Sequence, residues 1–128
     1  MQNVAQAYAN TAQATGNPRE LEAQLLLRAA AKLQAFQNGS DCLSRDIVSA
    51  IRYNRRLWII LAGSIGNPQN PLPHEIKQNV ANLANFIVKH SMSLEFDTEQ
   101  APNRLGVLIN INREIAAGLR MRAARTQT

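Results

Sequence analysis

Cysteine is nearly absent: Cys42 is the only one in 128 residues. That excludes an internal disulfide framework and a metal site built from several cysteines. Aromatic residues are also scarce, at 5%, and scattered singly. A dedicated nucleic-acid binder usually interleaves them with basic residues as a stacking platform. Valine and threonine are few, so strand-forming side chains come mainly from isoleucine, which disfavours a β-sandwich or barrel. No run of about 18 apolar residues occurs, so no membrane insertion is expected. Met1–Ala14 lacks both the charged and the apolar region of a secretory signal. A single cytoplasmic domain over residues 1–128 is the expectation.

What is present favours helix. Apolar residues make up 45% of the chain, 19 of them alanine, and Ala, Leu, Gln and Arg are good helix formers. Fourteen basic residues, eleven of them Arg, outweigh nine acidic ones for a formal charge of +5. Such a balance admits nucleic acid, an anionic surface or an acidic protein as partner and selects none of them.

Residues 1–14 hold a thin stripe of Val4, Tyr8 and Thr11, which predicts a weak helix with little to bury. Asn17-Pro18 suits an N-cap followed by N1, with Glu20 where a capping-box acid belongs. A helix follows to about Gln37, with Leu21, Leu25, Ala29, Leu33 and Phe36 on one face and Asn38-Gly39 as its stop. Ser40 or Asp41 then caps a helix to about Leu61. Its apolar arc holds Leu43, Ile47, Ile51, Leu57, Trp58 and Leu61, opposite Arg45, Arg52 and Arg56. The three prolines and two glycines of residues 63–73 predict a loop. Pro73 opens a helix with Ile76, Val80, Leu83, Ile87 and Leu94 in register. Glu95–Pro102 reads as a connector. A last helix runs from about Asn103 to Ala117 or beyond, and residues 120–128 read as a loose basic tail. The pattern predicts an all-α fold, a compact single-domain bundle of about five helices.

Two amides interrupt the apolar arcs, Asn54 and Asn112. A buried amide is costly unless paired. One reading pairs the two with each other or with nearby backbone, fixing helix register. The other sets them on the rim of a groove, hydrogen-bonding a partner helix. His74, His90 and Cys42 have no neighbour at triad or zinc-site spacing, so they read as structural, with no cofactor, no metal and no catalytic residue. Gly63-Ser64-Ile65-Gly66-Asn67 lacks the strand before it and the Gly-Lys-Ser/Thr of a phosphate loop. The Arg45, Arg52 and Arg56 stripe is either a solvated face or a binding surface.

Taken together, several segments resemble the FlaF family of flagellar biosynthesis regulators. They are Tyr8 through Asn17-Pro18-Arg19-Glu20-Leu21-Glu22, Asn54-Arg55-Arg56-Leu57-Trp58, and Leu72-Pro73 opening a helix to Phe86-Ile87-Val88-Lys89-His90. Leu108-Ile109-Asn110-Ile111-Asn112-Arg113 with Ile115 and Gly118-Leu119 completes the set. Phe86 stands where the family commonly has Trp, and the arginine-rich end beyond Leu119 is longer than the family pattern.

The resemblance implies a non-enzymatic role in producing or exporting flagellin. It implies two candidate partners: flagellin itself, held as by a secretion chaperone, and a regulator of the FlbT kind that acts on flagellin messenger RNA. Direct RNA binding through the arginines is a further, less favoured reading. Tyr53, Arg55, Arg56, Trp58 and Arg113 are the candidate partner-binding residues, with Trp58 as apolar anchor and the arginines on the rim. A competing account puts Trp58 wholly in the core. An apolar groove serves a partner helix or a second copy of the chain equally well.

Overall fold

The computed structural model describes residues 17–37 and 44–126. The expected helix over 2–14, Tyr8, the Asn38-Gly39 stop, the cap at Ser40 or Asp41, and Cys42 lie outside the described residues. Every regular element among the described residues is helical. Helix α1 spans Pro18–Gln37, α2 Ser44–Gly66, α3 His74–Phe96, α4 the single turn Ala101–Arg104, and α5 Gly106–Thr126. Four long helices and one short one make the all-α bundle that the sequence predicts.

Helix α1 begins where the local chemistry dictates. The Asn17 side-chain oxygen accepts the backbone N–H of Arg19 at 3.0 Å, and its carbonyl accepts that of Leu21 at 3.1 Å. Pro18 needs no donor there. Glu20, expected to serve a capping box, instead takes the guanidinium of Arg120 on α5 at 3.2 Å. Helix α1 packs against both α5 and α2, and α2 against α3. Flanked on two sides, α1 buries Leu21, Ala23, Leu25, Leu26, Ala29, Ala30 and Leu33 almost completely. Burying each leucine side chain contributes about 2 kcal/mol.

The chain runs up and down through α1, α2, α3 and α5. Asn17 lies beside Ala123 and Glu20 beside Arg120, so α1 and α5 are antiparallel. Arg52 and Arg55 of α2 meet Glu95 near the end of α3, which makes that pair antiparallel too.

Element ends depart from the sequence reading in three places. Helix α2 continues past Leu61 to Gly66, where a loop was expected from residue 63. A helical glycine costs about 1 kcal/mol but does not break the helix, and Ile65 recovers that by full burial. Pro68, which supplies no N–H, follows the helix end. The expected connector over 95–102 is shorter, because α3 runs through Phe96 and Ala101–Arg104 forms a turn. Ala101 and Leu105 are buried on either side of that turn. The expected loose tail is instead the last turns of α5 as far as Thr126. Leu119 and Ala123 are buried there and Arg120 is ion-paired, so tertiary contacts hold a segment whose polar residues suggested fraying.

Candidate functional site

The centre of the bundle is polar and paired. Asn112 on α5 donates from Nδ2 to the Oδ1 of Asn54 on α2 at 2.7 Å and to the Leu26 carbonyl of α1 at 3.1 Å. Its Oδ1 accepts the indole N–H of Trp58 at 2.8 Å. Asn54, Trp58 and Asn112 are each 0% exposed. Three helices thus meet on one amide, which uses its acceptor and both of its donors. The two amides satisfy one another and the neighbouring backbone rather than lining a rim, though Asn54 Nδ2 lacks a partner.

A second buried polar group ties α1 to the turn before α3. Arg19 pairs with Glu22, with Nη2 donating to Oε2 at 3.1 Å and Nε 2.8 Å from Oε1. Arg19 Nη1 also donates to Asn70 Oδ1 at 3.3 Å. Asn70 in turn accepts the Leu72 N–H at 3.0 Å and donates to the Ser64 carbonyl at 3.3 Å. Burial pushes the Glu22 carboxyl from 4.5 up to about 7, against the lowering influence of Arg19. The sequence reading missed this network. Its signal was visible, because Glu22 falls on the same helical face as Leu25, Leu26 and Ala29.

The five candidate partner-binding residues do not form one surface. Trp58 is corrected outright: it is fully buried and hydrogen-bonded, so it anchors the core and not a partner. Its face of α2 turns inward because Ile51, Asn54, Leu61 and Ile65 share it. Arg55 is half-buried and ion-paired with Glu95 of α3. Arg52, 65% exposed, reaches the same carboxylate at 2.6 Å. Partial burial is the largest single influence on Glu95 and works to raise its pKa. The hydrogen bonds and charges of Arg55 and Arg52 together outweigh it and hold the carboxyl below its usual range. Arg113 is exposed and donates to Gln34 of α1 at 2.5 Å. Arg56 is exposed on the outer face of α2 with Arg45, and neither has an ion-pair partner among the described residues.

Tyr53 alone of the five lines an opening. It stands half-buried in a groove of about 360 Å³ between α1 and α2, with Lys32, Ala35, Phe36, Asp46, Ser49 and Ala50. The Lys32 ammonium sits 4.9 Å from the centre of the Tyr53 ring, within cation–π range. Phe36 and Ala50 supply apolar surface, and Lys32 and Asp46 add one charge of each sign. The sequence reading named Tyr53 and Phe36 but had no means of placing them together, because they sit on different helices. A smaller groove of about 150 Å³ runs between α3 and α5, lined by residues that include Ile76, Val80, Ile115 and Leu119.

The histidines are placed quietly. His90 stacks on Phe86 with ring centres 5.3 Å apart, and its Nε2 lies 3.4 Å from the Arg104 carbonyl. His74 is exposed in the first turn of α3. Among the described residues no three His, Cys, Asp or Glu side chains gather as a metal-binding group. No helix among them is long and apolar enough to cross a membrane.

These features define an all-α protein with a buried hydrogen-bonded centre and open grooves between its helices. Residues 4–119 match the family described as flagellar protein FlaF, and the chain belongs to that family. Its role therefore lies in flagellar biogenesis and its regulation. No curated protein and no solved structure matches the chain.

Proposed function

We propose that the protein is a non-enzymatic, cytoplasmic regulator that binds flagellin and promotes its synthesis or export in the manner of a secretion chaperone. Family membership supports the flagellar role. The observation that supports binding is the groove at Tyr53, whose floor is apolar and whose edges carry Lys32 and Asp46. An amphipathic helix seats one or two apolar anchors in such a groove and meets charges at its edges. Tyr53 and Phe36 are the contacts this reading relies on, with Arg56 on the adjoining outer face.

Calorimetric titration with full-length monomeric flagellin, at low and moderate salt, tests the proposal. Stoichiometric, salt-tolerant binding with a negative heat-capacity change is the expected result. Absence of any heat would overturn it and turn attention to a regulator of the FlbT kind.

One observation favours a second reading, direct action on flagellin messenger RNA. Arg45 and Arg56 form an exposed basic stripe with Arg52, and two of the three lack an acidic partner among the described residues. Phosphate contacts release counterions, so RNA affinity would fall steeply between about 50 and 200 mM salt. Binding that survives that range excludes this reading.

A further inference from the structure

Glu114 and Arg122 flank Gly118 on α5 at equal distances along the chain, four residues before it and four after. Four residues of helix turn through about 400° and rise about 6 Å, so each charge stands within about 40° of the glycine on one face. All three line the groove between α3 and α5, with Ile115 of α5 and Ile76 of α3 among their neighbours. Arg113 and Arg120 of the same helix are engaged by α1. Neither Glu114 nor Arg122 has an ion-pair partner among the described residues. At Gly118 nothing among the described residues lies within 4 Å of where a Cβ would stand. A glycine inside a helix is less favourable than alanine, and the described fold makes no use of this one. Met121, bordering the same face, is 61% exposed, and Ile115 is half-buried.

We propose that this face is the interface of a symmetric dimer, in which α5 of a second copy lies antiparallel along α5 in the groove. A two-fold axis beside Gly118 sets that residue opposite its own copy. Glu114 then stands level with Arg122 of the second copy, and Ile115 level with Met121 of the second copy. One set of residues thus closes each contact twice.

Charge is what names this occupant. A uniformly acidic or basic partner would oppose a like charge at one end of the groove, and like charges brought together count against binding. The image of the groove itself opposes each charge with its opposite at both ends. At the crossing point glycine brings no side chain, so the helix axes approach to about 8 Å, the near end of their usual separation. At that range the long side chains of Glu114 and Arg122 span the seam between the copies. The groove at Tyr53 lies between α1 and α2, so this inference stands or falls apart from the flagellin reading.

Sedimentation equilibrium of the full-length protein and of charge-reversed variants tests it. The unmodified chain should dimerise. Glu114→Arg and Arg122→Glu each set like charges against each other on both sides of the axis. Each should weaken the dimer about tenfold or more, with helix content by circular dichroism unchanged. An equimolar mixture of the two variants restores both attractions in a heterodimer and should recover the affinity, as should both substitutions in one chain. Recovery on mixing distinguishes an ion pair between copies from any effect within one copy. Gly118→Leu places a side chain at the crossing point and should abolish dimerisation without loss of helix. A chain that stays monomeric up to about 1 mM, the weak end of specific association, overturns the proposal. So does a dimer that survives Gly118→Leu, or a mixture that fails to recover it. A monomer whose binding of flagellin is weakened by Gly118→Leu also overturns it, and gives the groove to that partner.

Discussion

Asn112 Nδ2 donates to Asn54 Oδ1 across 2.7 Å at the centre of the bundle, joining two helices 58 residues apart in sequence. The same Asn112 side chain holds the Trp58 indole and the Leu26 carbonyl, so one residue sets the register of α1, α2 and α5.

Replacing Asn112 by Ala strands a buried acceptor on Asn54 and an indole N–H on Trp58, and removes the second hydrogen bond at the Leu26 carbonyl. Each unsatisfied group costs about 1–3 kcal/mol. A loss of about 3–5 kcal/mol is expected from urea unfolding. In a double-mutant cycle with Asn54→Ala the two losses should couple by about 1 kcal/mol or more. Simple additivity would mean the contact does not bear weight.

Trp58 should behave as a core residue. Trp58→Ala is expected to cost about 3–5 kcal/mol. Trp58→Phe keeps most of the ring volume but leaves the Asn112 oxygen without its donor, and should cost less. Since this is the only tryptophan, its emission should be that of a buried indole and resist quenching by iodide. Ready quenching would contradict the packing.

Glu22 makes stability depend on pH. Its carboxyl rises from 4.5 to about 7 on folding, so the folded state holds the proton more tightly than the unfolded one between those values. The associated stabilisation is complete below about pH 4.5 and is lost as pH rises to about 7, by an order of 3 kcal/mol. Glu95, held low by Arg55 and Arg52, acts in the opposite sense, its contribution fading as pH falls below the usual carboxylate range. Denaturation midpoints measured from pH 4 to 8 should therefore decline toward neutrality, and Glu22→Gln should flatten that decline.

Arg55 and Arg56 should separate. Arg55→Glu sets two carboxylates against each other at the α2–α3 junction and is expected to lower stability by about 1 kcal/mol. Arg56→Glu, on the exposed face, should leave the melting temperature unchanged. With flagellin as titrant, Tyr53→Ala is expected to weaken binding about tenfold, while circular dichroism shows an intact fold. Full affinity for Tyr53→Ala would remove the groove from the flagellin reading.

The helices were legible because apolar residues recur at helical spacing and because Asn17-Pro18 and Pro73 signal starts. Their ends were not. Gly63 and Gly66 suggested a loop and the arginines after Leu119 a loose tail, yet burial of Ile65, Leu119 and Ala123 extends both helices. Local propensities of a kcal/mol or less yield to such burial. The candidate site was legible only in part. Tyr53 could be singled out, but its neighbours Lys32 and Phe36 come from another helix, and Arg55 proved to have a partner 40 residues away.

By itself the sequence determined an all-helical chain, its approximate helix count, its basic balance and the family resemblance. These follow from residue type and short-range spacing, which act within one or two helical turns. Only the tertiary structure decided that Asn54 and Asn112 pair, that Trp58 faces inward, that Glu22 is buried beside Arg19, and which helix pairs leave grooves. Those outcomes depend on how helices rotate and stack against one another. That choice is made by burial and by the need to satisfy every enclosed polar group, across separations that no local pattern encodes.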